Sequence, residues 1–138
     1  MFCILEICPK RFPLSPPPDT SGGNISIIHI VKKLYATIYL VSNKLQKRDK
    51  LGIHLQIERL ALDIMSGIVK AYFSPKNKKL SPLETTRVSL EILKHLVRTE
   101  YELKIIEEKA YIRIESLIVE ISKMTNGWIK YLAQTPRL

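Results

Sequence analysis

Four apolar stripes follow one another along this chain, each at helical spacing and each ended by a short polar break. Ile27, Val31, Leu34, Ile38, Val41 and Leu45 advance in steps of 4, 3, 4, 3 and 4. Leu51, Leu55, Glu58, Leu62, Met65, Val69 and Tyr72 keep the same alternation. Leu83, Leu90, Leu93 and Val97 mark a third stripe, and Ala110, Ile114, Leu117, Ile121, Met124, Trp128 and Tyr131 a fourth. Alternating steps of four and three hold side chains on one face of a helix. Four such helices joined by short loops can bury those faces only against one another. The expected fold is all-α, an antiparallel up-down-up-down four-helix bundle. A chain of 138 residues suits a single core. With aromatics at 7%, that core must be built mainly from Leu, Ile and Val.

Residues 1–24 break the pattern. Pro13, Pro16, Pro17, Pro18, Gly22 and Gly23 sustain neither a helix nor a packed core. The segment reads as a disordered proline-rich leader, or as an artefact of a start codon placed too far upstream. The bundle then spans residues 25–138. Its first helix is expected from Ile25 to Leu45, with Asn24 as N-cap. Asp49 is the expected cap of a second helix that ends near Phe73. That helix carries a second stripe, Ile53, Ile57, Leu60, Ile64 and Ala71. A helix apolar on two faces is buried on two faces, so a partner copy is expected. Ser81, Pro82 and Glu84 read as N-cap, first-turn proline and capping-box glutamate of the third helix. The third helix also has extra apolar positions at Ile92, Leu96 and Leu103. A short link near Ile105–Glu107 leads to a fourth helix reaching about Leu132.

Net charge is +9, and it is unevenly placed. The first helix has Lys32, Lys33 and Lys44 and no acid. The first break has Lys47, Arg48 and Lys50 against Asp49, and the second has Lys76, Lys78 and Lys79. Elsewhere acids and bases nearly cancel, so eight of the nine surplus charges lie on one helix and two loops. Lysine-rich charge borne on loops suits phosphate contact rather than the reading of base edges. These nine side chains are the candidate nucleic-acid-binding residues. The alternative for any one of them is a solvated surface charge.

No catalytic constellation emerges, and an enzyme is not expected. His29, His54 and His95 fall on three different helices. There is no phosphate-cradling glycine loop and no Glu-x-x-His pair of the di-iron bundles. Cys3 and Cys8 lack the further ligands of a metal site, so neither metal nor cofactor is expected. Glu58 lies on a core stripe, where a carboxylate needs a partner; Arg87 or Arg98 could supply one, or the stripe edge could face water. No apolar run approaches the roughly 18–20 residues of a membrane span. The N-terminus lacks the order of an export signal, so a cytoplasmic protein fits best.

Residues 51–72 (LGIHLQIERLALDIMSGIVKAY), 90–104 (LEILKHLVRTEYELK) and 114–131 (IESLIVEISKMTNGWIKY) resemble, in order and spacing, one four-helix-bundle family. It comprises Avd, the accessory variability determinant of diversity-generating retroelements, and the rRNA intervening-sequence proteins. The resemblance covers roughly residues 30–132. It implies a homopentameric barrel of bundles in the Avd branch. There the protein is basic, binds nucleic acid and associates with the element's reverse transcriptase. That complex makes mutagenised cDNA from a template RNA, the step called mutagenic retrohoming, and Avd itself contributes no catalytic residue. The intervening-sequence branch has the same bundle without an established activity, which leaves a stand-alone structural or RNA-associated protein as the alternative. The closing motif differs from the family's frequent Gly-Gly-Trp, being Asn126, Gly127 and Trp128. Ile106 stands where relatives often carry a serine cap.

Overall fold

A computed structural model describes residues 26–134. All of its regular structure is helical, with no strand among the described residues. In chain order the helices are α1 (Ile27–Val41), the short α2 (Lys47–Leu51), α3 (Ile53–Phe73), α4 (Leu80–Glu102) and α5 (Glu108–Gln134). Single 3₁₀ turns lie at Ser42–Lys44 and Lys76–Lys78. The four long helices close a ring of contacts: α1 on α3, α3 on α4, α4 on α5, and α5 back on α1.

Three of the four stripes form the core as expected. Ile27, Val31, Leu34 and Ile38 of α1 are buried, as are Leu83, Leu90, Leu93 and Val97 of α4. In α5 the core takes Ile114, Leu117, Ile121 and Trp128. The exception is α3, where the second stripe turns inward. Its buried residues are His54, Ile57, Ala61, Ile64, Ile68 and Ala71. The stripe expected first lies along the flank of the helix: Leu62 and Val69 are exposed, Leu55, Glu58, Met65 and Tyr72 are half-buried, and Leu51 ends α2 exposed. Close packing selects the inner face, because it carries the small residues. Gly67 of α3 lies so near α4 that an added Cβ would collide with the Thr86 hydroxyl.

Several boundaries differ from expectation for local reasons. The N-cap of α1 is Ser26, whose Oγ accepts the His29 N–H at 3.3 Å; Asn24 lies outside the described residues, as do the rest of the leader and its two cysteines. The helix stops at Val41, short of Leu45. There the Ser42 hydroxyl donates to the Tyr39 carbonyl at 2.6 Å, a local bond that competes with helix continuation. Asp49 does not cap α3. It sits inside α2, beside Arg48 at 3.8 Å, and Gly52 makes the corner into α3. A Cβ on Gly52 would press on the Arg48 carbonyl at 2.9 Å. Ser81 does not cap α4 either. Lys79 is already in the αR region and its carbonyl accepts the Leu83 N–H at 3.4 Å, so the helix begins two residues earlier and the capping box with Glu84 does not form. Pro82 then occupies the first turn, where a missing N–H costs no helical bond.

The α4–α5 link is short because α4 ends in a Schellman motif. The Lys104 N–H donates to the Tyr101 carbonyl at 3.0 Å, and the Ile105 N–H to the Glu100 carbonyl at 2.9 Å. Lys104 holds φ at 62°, the left-handed position that favours glycine. Lys104→Gly removes the Cβ conflict there, and a gain of about 1 kcal/mol is expected in urea unfolding. An equal or lower midpoint would show that the lysine side chain offsets the strain.

Candidate nucleic-acid interface

The first break displays its charge well. Lys44 ends the 3₁₀ turn, and Lys47, Arg48 and Lys50 stand on α2. All four are exposed, and the only acid among them is Asp49. Helical winding of α2 spreads the three cations around a single turn, while the Gly52 corner keeps that turn distinct from α3. In the second break Lys76 and Lys78 are exposed on their 3₁₀ turn. Lys33 is exposed and Lys32 half-buried in the second turn of α1.

Lys79 has a different position from its neighbours. Its Nζ donates to the carbonyls of Ala71 and Tyr72 at 2.8 and 2.9 Å, which are acceptors left over at the end of α3. The ammonium also lies 6.0 Å from the Trp128 ring centre. Burial pushes its pKa below the usual lysine value. This lysine caps a helix, so of the nine sequence-derived candidates it is the one whose charge is turned to an internal partner.

The two loop clusters are not brought together. They sit at the two ends of α3, whose 21 residues span roughly 30 Å at 1.5 Å per residue.

Reasoning from the sequence missed a pair of ionisable residues beneath the first break. His54 and Glu100 are both fully buried, from α3 and α4. His54 Nδ1 lies 2.7 Å from Glu100 Oε2, and His54 Nε2–H donates to the Ile38 carbonyl of α1 at 2.9 Å. Glu58, half-buried one turn along α3, lies 3.9 Å from the same Nε2. Neither expected arginine reaches Glu58; Arg98 instead bonds Glu102 at 3.1 Å. Burial by itself would lower the His54 pKa. The hydrogen bond and charge of Glu100, the Ile38 carbonyl and the charge of Glu58 together outweigh it, so the pKa is raised above 6.5. Glu100 Oε1 has no partner among the described residues. No group of three or more His, Cys, Asp or Glu residues is arranged to hold a metal ion among the described residues. No described helix is long and apolar enough to cross a membrane.

No protein-family model matches the chain, and no curated protein is found to be similar to it.

Proposed function

We propose that this chain is a non-catalytic, nucleic-acid-binding accessory protein of a diversity-generating retroelement, acting in the cytoplasm with the element's reverse transcriptase in mutagenic retrohoming. The observation that carries the binding part is the exposed cluster Lys44, Lys47, Arg48 and Lys50, with a single acid in its midst. Such a cluster attracts phosphates without regard to base sequence. The retroelement and the transcriptase partner rest on the family resemblance. So do the antiparallel order of the helices and assembly as a homopentamer. The exposed apolar residues Leu62 and Val69 on α3, with Leu51 at the end of α2, support self-association.

Binding to a mixed-sequence RNA or DNA should weaken steeply with salt, since each neutralised phosphate releases counterions. Reversing Lys47, Arg48 and Lys50 to Glu should lower affinity and flatten the dependence of log K on log salt. Each phosphate that the variant no longer neutralises takes about 0.7–0.9 off the slope. The second cluster is tested by Lys76→Glu with Lys78→Glu, leaving Lys79 in place because it caps α3. If both variants bind like the parent across the salt series, these charges serve solvation only. Capture of the reverse transcriptase, measured in parallel, separates the partner reading from the nucleic-acid reading.

A further inference from the structure

The surroundings of His54 limit which protonation states the fold accepts. The Ile38 carbonyl can only accept, so Nε2 must carry a hydrogen. Nδ1 meets a carboxylate oxygen at 2.7 Å, and that contact needs a hydrogen as well, on either the ring or the carboxyl group. An ionised Glu100 beside a neutral ring would bring a lone pair against a lone pair in a fully buried site. The charges facing the ring are Glu100 from α4 and Glu58 from α3, while α1 presents only the Ile38 carbonyl. Among the described residues neither carboxylate has a Lys or Arg ion-pair partner. The position also suits positive charge, because Ile38 lies in the last turns of α1. At that helix end the Ser42 N–H turns to the Tyr39 and Leu40 carbonyls.

We infer that His54 and Glu100 together hold one proton that fastens the start of α3 to the last turn of α4, making a proton-dependent clasp beneath the first basic break. Both distributions of that proton satisfy both contacts; its loss breaks one of them. The direction with pH follows from the raised pKa of His54. A raised group contributes its full stability below the unfolded value of about 6.5 and loses it as pH rises through the folded value. The clasp therefore loosens on the alkaline side. It does so whether or not the protein binds nucleic acid.

Glu100→Gln tests this without emptying the site. The Gln amide N–H can donate to Nδ1 of a neutral ring, whose Nε2–H still serves Ile38, so every contact is kept without the extra proton. As pH rises above about 6.5, the melting temperature of the parent should fall relative to that of the variant, which should lack this contribution. Lys79 and Tyr72, whose pKa values are shifted by burial at the other end of α3, are unchanged in both proteins and cancel in the comparison. In the parent, the NMR resonances of the His54 ring should not titrate near pH 6.5, the ordinary imidazole value. Parallel pH profiles of parent and variant would overturn the inference. So would a His54 ring that loses its proton near pH 6.5, a result obtained from the parent even if the variant fails to fold.

Discussion

Trp128→Ala should lower stability by about 3–5 kcal/mol, one of the two largest effects expected of substitutions in this chain. The indole is 3% exposed and closes the core at the end where α3 finishes. Tyr72 meets it edge-on, with ring centres 6.1 Å apart and planes at 76°. The Lys79 ammonium that caps α3 lies over the same ring. Truncation leaves a large cavity, removes the edge-to-face pair and strips the lysine of its aromatic neighbour. For a domain of this size a drop of more than about 12 °C in melting temperature is expected. Trp128→Phe keeps an apolar ring in place and should recover a good part of the loss. A melting curve for the alanine variant within a degree or two of the parent would refute the structural role.

His54→Ala should be equally costly, at about 3–5 kcal/mol. It leaves the fully buried Glu100 carboxylate without its one cationic partner and the Ile38 carbonyl without the imidazole donor. Replacing both members, His54→Leu with Glu100→Met, removes the isolated charge along with the pair. The double variant should then lie within about 2 kcal/mol of the parent, the remaining cost being the unserved carbonyl. Chemical unfolding of the parent, His54→Leu, Glu100→Met and the double variant gives the coupling directly. Additive single effects would show that the two side chains act independently, despite their 2.7 Å contact.

The architecture was legible because three stripes are unambiguous. A step of four and three identifies a face and has little freedom when only one face is apolar. In α3 both faces keep that step, and periodicity cannot rank them. Packing does so through Ala61, Gly67 and Ala71, small residues that let neighbouring helices approach. The buried pair had a readable signal. His54, Ile57, Ala61, Ile64, Ile68 and Ala71 step by 3, 4, 3, 4 and 3, and Leu90, Leu93 and Val97 reach Glu100 at the next step. Carrying the stripes through polar residues would have placed both inside. The exposure of the first basic break was also legible, since loops with so many charges stay in water. The inward turn of Lys79 was not. Its acceptors are backbone carbonyls seven and eight residues upstream, and no side-chain pattern advertises them. Ser81 misleads because a Ser-Pro-x-Glu run that resembles a cap also fits the first turn of a helix that Lys79 has already begun.

The straight run of α3 between the two basic turns sets a minimum reach for any single polyanion that touches both. A duplex advances about 3.4 Å per base pair, so roughly 30 Å corresponds to about nine pairs. On the proposed reading, shorter duplexes would engage one end of the helix at a time and gain nothing from the other. Beyond that length the second contact would become intramolecular, and affinity would rise in a step rather than in proportion to length. The helix would then act as a ruler, its length in residues translated into a threshold in base pairs.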